Sequence, residues 1–389
     1  MRILILGVDG YLGWALALRL IRRGHEVIGV DNFYTRRAVE EVGSWSALPI
    51  LSMEDRVKAV EEVYGSRLVF HEADVTDYDA VRHIIERHRP DAIVHFAEQR
   101  SAPYSMIDVN HASYTMVNNL KSTLNVIYSI REVNGRIHLL KMGTLGEFGY
   151  PAFKLPEDAF VDAVINGVKD RVLVPRWGGS WYHWSKVFDS YMLVYANKLW
   201  GLTITDFHQG PVYGTRTSDI VSDELFTRFD FDDVWGTVFN RFCAEAVIGH
   251  ELTVYGTGLQ RKGFTSLEDT TEALTLLLEN PPSDGEYRTV YHYREVLTLN
   301  TIADLVKEAS REVLGYEPQV VHLPNPRVEP EDDLNYEPER RVLPRLGMYG
   351  LRRNMRDEVK GILRDLARYR GRIEAKASVL KPRVKWRGS

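Results

Sequence analysis

The sequence has a single cysteine, no long apolar run and no excess of positive charge. Cys243 alone cannot form an internal disulfide or a cysteine-based zinc cluster, and we expect it in the core. No run approaches the roughly 18 apolar residues of a membrane-spanning helix, so we expect no membrane insertion. Asp9 interrupts the first apolar stretch, which lacks the cleavage site of a signal peptide. The formal net charge of −5 over 389 residues gives no reason to expect a nucleic-acid partner. These absences predict a soluble cytoplasmic protein.

Short apolar runs alternate with helical patterns through the first half of the sequence. Runs typical of strands buried on both faces lie at 2–7, 26–31, 67–74, 91–97 and 136–143, and helical patterns cover 11–24, 78–90 and 108–131. This alternation is typical of a parallel sheet with helices on both faces. We therefore predict an α/β fold, a Rossmann-type doubly wound parallel sheet with a smaller mixed α/β C-terminal substrate domain.

A glycine pattern, Gly7, Gly10 and Gly13, joins the first predicted strand to the first helix. Glycine lets the backbone approach a pyrophosphate, whose charge then meets free N–H groups at the helix N-terminus. Asp31 ends the second strand, where a carboxylate accepts hydrogen bonds from the adenosine ribose and repels a 2′-phosphate. The pattern therefore predicts a dinucleotide site, and not merely a glycine turn that packs a helix on a strand. Asp31 favours NAD over NADP in that site.

Further residues at the strand ends are predicted to contact the same cofactor. Arg36 and Arg37 lie just beyond Asp31 and temper the preference for NAD. Asp74 and Val75 follow the third strand, where a carboxylate and the next amide can hold an adenine. The predicted cofactor set is completed by Asp9, Tyr11, Leu12, Asn32, Phe96, Ala97, Glu98, Asn119, Tyr182, Lys186 and Gln209.

Tyr182 and Lys186 are four residues apart and so lie on one face of a helix. A nearby ammonium and a positively charged nicotinamide would lower the pKa of the phenol, which makes Tyr182 a base for a sugar hydroxyl. Thr144 follows the fifth predicted strand and can hydrogen-bond the same hydroxyl. After five Rossmann-type elements, these three residues predict a hydride-transfer site rather than a helix surface.

Together with the segment NNLKST at 118–123, these motifs resemble the extended short-chain dehydrogenase/reductases that act on nucleotide sugars. Within that superfamily the sequence is most similar to the family of UDP-sulfoquinovose synthases. The resemblance runs from residue 1 to about residue 330, in the blocks VDGYLGW, HFAEQRSAPYSMID, GTLGEFG, YHWSK, QGPVYG, LTVYGTGLQ and LPNPRVE.

The resemblance implies a reaction of UDP-glucose with sulfite that uses NAD and regenerates it. The C4 hydroxyl of the glucose is oxidised with Tyr182 as base, water leaves from C5–C6, sulfite adds to C6, and C4 is reduced again. Related 4,6-dehydratases carry Thr-Asp-Glu after the fifth strand, whereas this sequence has Thr144, Leu145 and Gly146. The missing acids argue against a 4,6-dehydratase that makes a 6-deoxy sugar. Tyr182, His183 and Glu147 remain candidates for the base that takes the C5 proton.

The resemblance also implies a substrate site. We expect Arg100, with Gln99 and Ser101, to hold sulfite or the C6 end of the sugar; an ion pair of Arg100 with Glu98 or Glu147 is the alternative. The other predicted substrate residues are Thr144, Gln209, Tyr213, Asn240, Arg261 and Arg327, the last two on the UDP diphosphate. No metal is expected. By analogy we expect a homodimer or higher homo-oligomer, formed through helices near 108–131 and 181–200.

The β-α alternation loosens after about residue 210. We predict an NAD-binding domain at 1–210, with an insertion at about 150–180, and a UDP-sugar-binding domain with a basic tail at 211–389. The acidic segment 218–233 is expected to be mobile, either a lid over the sugar or an ordinary loop. The tail from Arg368 onward is expected to be a solvated helix with a frayed end.

Three other functions use the same motifs. A UDP-sugar 4-epimerase needs Tyr182, Lys186 and NAD without elimination, and another NAD-dependent nucleotide-sugar dehydratase would need a different set of acids. A sensor or scaffold that binds NAD without turnover would not need Thr144, Tyr182 and Lys186 together.

Overall fold

The computed structural model describes residues 1–328, 337–348 and 354–386. Its strands are β1 (Arg2–Leu6), β2 (Glu26–Asp31), β3 (Val69–Glu72), β4 (Ala92–His95), β5 (His138–Thr144), β6 (Phe160–Ile165), β7 (Val168–Leu173), β8 (Ile204–Gln209), β9 (Val212–Tyr213), β10 (Leu252–Tyr255), β11 (Arg261–Ser266), β12 (Tyr287–His292), β13 (Glu295–Thr298) and β14 (Val320–Leu323). Seven of them form one parallel sheet in the order β12-β8-β5-β4-β1-β2-β3. The order reverses between β1 and β4, which confirms the predicted doubly wound sheet.

The helices are α1 (Tyr11–Arg22), α2 (Tyr34–Glu41), α3 (Met53–Tyr64), α4 (Tyr78–His88), α5 (Val109–Asn134), α6 (Trp181–Trp200), α7 (Val238–Val247), α8 (Leu267–Glu279), α9 (Leu299–Leu314), α10 (Val342–Arg345), α11 (Met355–Arg368) and α12 (Arg370–Glu374). Local signals fix the ends of the helix that carries Tyr182. The Ser180 hydroxyl accepts a hydrogen bond from the His183 backbone N–H at 3.2 Å, and Gly201 ends the helix at φ 62°. In the described ranges, no helix is long and apolar enough to cross a membrane.

Two apolar cores lie on opposite faces of the sheet. One face packs against α4, α5 and α6, and the other packs against α1, α3 and α8. Helices α7, α9 and α11 pack on one another beyond the sheet, near the parallel pair β10–β14. Cys243, on α7, is fully buried in this apolar surrounding, as expected. The predicted domain boundary near residue 210 stays a prediction, although β12 and α8, from beyond it, belong to the sheet and its covering layer.

The expected mobility of the acidic segment 218–233 is wrong. Phe226, Phe229 and Phe231 are at most 1% exposed, and the Trp14 indole N–H donates to the Leu225 carbonyl at 2.9 Å. The carboxylate of Asp219 pairs with buried Arg19 on α1. Asp219 is therefore paired inside the protein, and the three phenylalanines anchor the segment.

The basic tail is also more ordered than expected. Val379 and Leu380 are buried in a 3-10 turn at Ala377–Leu380. Beyond the turn, Arg383 binds the Asp233 carboxylate through its backbone N–H at 2.7 Å and its guanidinium at 2.9 Å. The Trp386 N–H donates to the Pro326 carbonyl at 3.0 Å. We call residues 377–386 the C-terminal strap; the last three residues of the tail, 387–389, lie outside the described residues.

Candidate active site

One large cavity lies beyond the carboxyl ends of the parallel strands, at the point where the strand order reverses. Twenty of the predicted site residues line it: Gly7, Gly10, Tyr11, Leu12, Gly13, Asp31, Asn32, Asp74, Val75, Phe96, Ala97, Glu98, Arg100, Ser101, Thr144, Tyr182, His183, Lys186, Gln209 and Arg327. Nine do not: Asp9, Arg36, Arg37, Gln99, Asn119, Glu147, Tyr213, Asn240 and Arg261. Ligands of open α/β sheets bind at this position.

Two glycines of the loop between β1 and α1, Gly7 and Gly13, have no room for a side chain. Gly7 has φ +90°, and a Cβ there would lie 2.9 Å from backbone atoms of Phe96 and Ala97. A Cβ on Gly13 would lie 2.9 Å from the Val8 Cα. The loop therefore packs directly on the end of β4 and leaves the N-terminus of α1 open toward the cavity. These residues fit the pyrophosphate of a dinucleotide.

Asp31 is positioned by the same loop. Its carboxylate accepts hydrogen bonds from the backbone N–H groups of Asp9 and Phe33, both at 2.8 Å. Burial, with the neighbouring charge of Asp9, raises the pKa of Asp31 to about 6 despite these two bonds. The carboxylate is therefore fixed at the cavity wall, where it can accept hydrogen bonds from ribose hydroxyls.

Asp9 and the two arginines after β2 do not face the cavity, contrary to the prediction. The Asp9 carboxylate accepts two hydrogen bonds from Arg36, at 2.7 and 2.6 Å, and one from fully buried Arg56 at 2.8 Å. Arg37 donates to the Asn32 carbonyl at 2.9 Å. Since Arg36 is bound to Asp9 and does not line the cavity, it does not offer a charge to a 2′-phosphate there.

The end of the cavity near Asp74, where adenine is predicted to bind, is polar on one side and aromatic on the other. The Asn32 amide donates to the Asp74 carboxylate at 2.9 Å, and Thr76 donates to the other carboxylate oxygen. Tyr34 lines this end and stacks on Tyr114 with ring centroids 4.3 Å apart. Sequence reasoning missed both tyrosines, because an aromatic residue on a helix more often packs in a core.

Tyr182 and Lys186 lie on α6 and face the cavity, as predicted. The Lys186 ammonium lies 6.0 Å from the centre of the Tyr182 ring, donates to the Met142 carbonyl at 2.7 Å and pairs with Glu98. Burial lowers the pKa of Lys186 to about 8. The expected low pKa of the phenol is not found in the chain alone: burial, with Glu147 acting in the same direction, raises the pKa of Tyr182. Bound NAD⁺ would supply a positive charge that lowers the pKa of the phenol.

Thr144 and His183 lie on either side of Gly146. The Thr144 hydroxyl accepts a hydrogen bond from the Gly146 N–H at 3.1 Å. A Cβ on Gly146 would meet the His183 ring, 2.6 Å from Cδ2, so a side chain at this position, where related dehydratases carry glutamate, would require the ring to move. Nδ1 of His183 lies 2.9 Å from the Ser180 hydroxyl. The His183 imidazole thus lies directly against the backbone of Gly146.

Glu147 is not at the cavity, which counts against its role as a base. It is fully buried, and its carboxylate pairs with Arg176 and lies 3.2 Å from Nδ1 of His208. It also accepts the backbone N–H of Thr144 at 2.9 Å. Although burial opposes ionisation, His208 and Arg176 hold the pKa of Glu147 below its ordinary value. Glu147 is a fixed anion that supports Thr144.

Arg100 projects into the cavity with its side chain 35% exposed. Neither partner considered for it, Glu98 or Glu147, binds it. Its guanidinium instead pairs with Asp230 and lies over the Trp235 ring at 5.4 Å. Asp230 also accepts two hydrogen bonds from buried Arg228, at 3.0 and 2.8 Å. Two guanidinium groups therefore share the Asp230 carboxylate, and Arg100 is the one that lies at the cavity wall.

Gln99 and Asn119 stabilise the loop after β4 through hydrogen bonds and do not line the cavity. Gln99 is 1% exposed and donates to the Ser101 carbonyl and the Thr115 hydroxyl. Asn119 accepts the Gln99 backbone N–H at 2.8 Å and donates to the Gln99 carbonyl at 2.9 Å. The Ser101 hydroxyl donates to the Val234 carbonyl, at the cavity wall. These contacts are the physical reason for the polar residues that follow β4.

The far wall carries basic residues that only partly match the prediction. Arg327 lines it, together with Arg241 and Lys262, which sequence reasoning missed. Arg241 lies over the Tyr255 ring at 4.3 Å and pairs with Glu245 at 3.0 Å. Three residues predicted to bind substrate do not line the cavity. Tyr213 is 1% exposed and stacks on Phe239, and Asn240 donates to the Asp230 carbonyl. Lys262 lines the cavity, whereas the adjacent Arg261 does not.

A nucleotide loop, a Tyr–Lys pair and a threonine at one sheet edge define an NAD-dependent short-chain dehydrogenase/reductase site. Residues 3–291 match the NAD dependent epimerase/dehydratase family, and the chain belongs to that family. It is an NAD-dependent enzyme.

Two relatives match the whole chain. It is 54% identical over 387 residues to a UDP-sulfoquinovose synthase of Sulfolobus acidocaldarius, covering 100% of this chain and 98% of the relative. It is 38% identical over 389 residues to the chloroplastic UDP-sulfoquinovose synthase of Spinacia oleracea, covering 99% and 79%. Among solved structures, a UDP-glucose-4-epimerase from Stenotrophomonas maltophila has a TM-score of 0.73 at 17% identity, over 97% of this chain and 99% of that chain. That structural likeness concerns the fold.

Proposed function

We propose that the chain converts UDP-glucose and sulfite into UDP-sulfoquinovose and water. One observation carries the proposal beyond the likeness to its relatives: Leu145 and Gly146 stand where related dehydratases carry an aspartate that acts as acid and a glutamate that acts as base, and cationic Arg100 faces the cavity. A site without that aspartate is poorly suited to protonate C6. A guanidinium at the cavity wall is suited to attract an anionic nucleophile to C6.

The first step is oxidation at C4. NAD⁺, when bound, takes a hydride from C4 of the glucose and returns it at the end. Tyr182 takes the proton of the C4 hydroxyl, and the Thr144 hydroxyl holds the same oxygen in place. Lys186 lies beside Tyr182 and, like Asp31, can hydrogen-bond hydroxyls of the cofactor. The C4 ketone then acidifies the hydrogen on C5.

Elimination and addition follow on the sugar. His183 is the proposed base for the C5 proton, because it lines the cavity and Glu147 does not. In the tautomer that donates Nδ1–H to the Ser180 hydroxyl, Nε2 is the basic nitrogen. The proton that His183 takes from C5 passes to the C6 hydroxyl, which leaves as water and gives an enone. Sulfite, held by Arg100, adds to C6, and C5 regains a proton from solvent.

The far wall is the proposed site for UDP. Arg241, Lys262 and Arg327 bring three cations to one side of the cavity, which suits a diphosphate. Asp31, Asp74 and the glycine loop lie on the other side and suit NAD. The two nucleotides can thus approach from opposite ends, with the sugar next to Tyr182.

We propose that the chain forms a homodimer through its long helices α5 and α6. They pack against each other and expose several large apolar side chains: Val109, Val117, Leu124, Tyr128, Trp181, Phe188, Tyr195 and Leu199. Large apolar side chains exposed on two adjacent helices favour contact with a second copy of the chain. Sedimentation equilibrium tests this, and a monomer at micromolar concentration would contradict it.

The function is tested by liquid chromatography with mass spectrometry after incubation with UDP-glucose, with and without sulfite. We expect UDP-sulfoquinovose only with sulfite, and none from Tyr182→Phe. UDP-galactose, separated by chromatography, would instead indicate a 4-epimerase, which needs the same Tyr182 and Lys186.

The role of His183 has a separate test. Without sulfite, in D₂O, we expect the enzyme to exchange the C5 hydrogen of UDP-glucose once C4 is oxidised. His183→Gln should still form reduced nicotinamide but lose C5 exchange, whereas Glu147→Gln should retain exchange. If exchange survives in His183→Gln, another residue removes the C5 proton.

A further inference from the structure

Lys141 is a lysine in the interior of the protein, in the middle of β5. Its side chain is 1% exposed, although lysine is almost never buried unless it is paired. The ammonium lies 2.8 Å from the Glu98 carboxylate and 3.0 Å from the Asp189 carboxylate. It does not line the cavity, and no step of the reaction described above uses it.

The partners of Lys141 connect it to the hydride-transfer site. Glu98 also binds the Lys186 ammonium, so two buried cations share one carboxylate. Both ammonium groups donate to the same backbone oxygen, the Met142 carbonyl, at 3.3 Å from Lys141 and 2.7 Å from Lys186. The Thr123 hydroxyl donates to Glu98 at 3.0 Å and fixes the carboxylate between them. Glu98 and the Met142 carbonyl thus connect Lys141, in the interior, to Lys186, at the cavity wall.

This arrangement matters because Tyr182 must lose and regain a proton in a buried place. Burial and the charge of Glu147 raise the pKa of the phenol, and Lys141 is the first of the cations that lower it. Since Lys186 faces two buried carboxylates, Glu98 and Asp189, a second ammonium is needed to offset their negative charge near Tyr182.

Other charged and titratable groups around Lys141 largely cancel. Burial, with Lys141 and Lys186, lowers the pKa of His95 far enough to keep that ring neutral. On the β8 side, Asp206 and Glu147 are matched by His208 and Arg176. The groups that set the local charge are therefore Lys141, Lys186, Glu98 and Asp189, with Arg100 on the cavity side.

We propose that Lys141 is a positioning residue for the reaction at Tyr182: by pairing with Glu98 and Asp189 it offsets their negative charge and leaves the Lys186 ammonium available beside the phenol. The proposal rests on the proposed function, in which Tyr182 is the base for the C4 hydroxyl. It differs from a merely structural role because it predicts a change in pH dependence with a defined sign.

The experiment compares three variants with the unmodified holoenzyme. Lys141→Met removes the charge, Lys141→Arg retains it, and Asp189→Asn removes the opposing carboxylate. The rate at which UDP-glucose reduces bound NAD is measured by nicotinamide absorbance in single turnovers across the pH range. In parallel, the near-ultraviolet tyrosinate absorbance is titrated without substrate, each variant being compared with its own Tyr182→Phe derivative.

For Lys141→Met we expect the apparent pKa of Tyr182 to rise by about one unit, with a roughly tenfold slower rate near neutral pH that recovers at higher pH. Lys141→Arg should resemble the unmodified enzyme, and Asp189→Asn should shift the profile in the opposite direction. A rate that falls equally at all pH values in Lys141→Met, or shifts of the same sign in Lys141→Met and Asp189→Asn, would overturn the proposal.

The role of Lys141 can still be tested if Lys141→Met does not fold or if the unmodified enzyme forms no reduced nicotinamide. If Lys141→Met does not fold, an unmoved profile in Asp189→Asn overturns the proposal and an opposite shift supports it. If the unmodified enzyme forms no reduced nicotinamide from UDP-glucose, the proposed function is wrong. The tyrosinate titration still decides the effect of Lys141 in that case.

Discussion

Replacing His208 by glutamine should reduce stability in a pH-dependent way. His208 is fully buried on β8, with Nε2 2.9 Å from the Asp206 carboxylate and Nδ1 3.2 Å from the Glu147 carboxylate. Burial alone would lower the pKa of His208, but the two carboxylates raise it from 6.5 to about 9. A rise of that size corresponds to about 3 kcal/mol of stability.

The sign follows from proton binding. The folded chain holds the proton on His208 more tightly than the unfolded chain, so this contribution is fully present below pH 6.5 and is lost as the pH rises through about 9. In His208→Gln the contribution is absent at every pH. The stability difference between the two proteins should therefore shrink by about 3 kcal/mol between about pH 6 and pH 10.

Urea unfolding followed by tryptophan fluorescence measures this difference, provided that unfolding is reversible. Groups that do not contact His208 titrate alike in both proteins and cancel in the comparison; the pKa values of Asp206 and Glu147 rise when His208 is removed, so the same titration is repeated with Asp206→Asn as a control. A difference that stays constant from pH 6 to pH 10 would refute the reasoning, because it would mean that His208 is neutral in the fold.

Three further predictions concern other parts of the molecule. Gly13→Ala should weaken NAD binding by at least tenfold in a fluorescence titration, since the added Cβ meets the Gly7 carbonyl and overpacking costs about 1–3 kcal/mol; unchanged affinity would mean that the loop can move aside. Arg383→Ala should lower stability by up to about 1 kcal/mol in urea unfolding and raise the KM for UDP-glucose, because Asp233 lines the cavity. Arg370→Ala, which removes an exposed pair with Glu374, is its matched control and should leave KM unchanged; equal KM values for the two variants would count against a role of the strap. The Cys243 thiol, for which burial raises the pKa, should not react with a thiol reagent until the protein unfolds; rapid reaction of the native protein would show that α7 opens.

The sheet and the catalytic pair follow from short-range patterns. Strands such as 26–31 were predicted at their observed ends because they are buried on both faces and flanked by charges. Tyr182 and Lys186 face one way because a four-residue spacing is nearly one helical turn. The steric reasons for Gly10 and Gly13 lie within the nucleotide loop itself, whereas Gly7 also meets the backbone after β4.

The residues that were missed or misplaced depend on contacts between distant segments. Arg100 pairs with Asp230, 130 positions away, and no local pattern indicates such a partner. Glu147 was a plausible base by its position after β5, but Arg176 and His208 hold it inside the protein. Arg241 and Lys262 reach the far wall because α7 and β11 fold back over the sheet edge. A single sequence contains no signal for that arrangement.

The C-terminal strap has a consequence for the order of events during synthesis. Asp233 and Arg383 are separated by 150 positions, so the wall segment is translated well before the residue that binds it. The NAD-binding sheet up to β8 can form while the chain is still growing, because domains tend to fold as they emerge. The sugar side of the cavity then closes only after translation has passed Arg383. A nascent chain would thus acquire its cofactor site before its substrate site, and premature termination within the strap would leave a protein able to hold NAD without a complete place for the sugar.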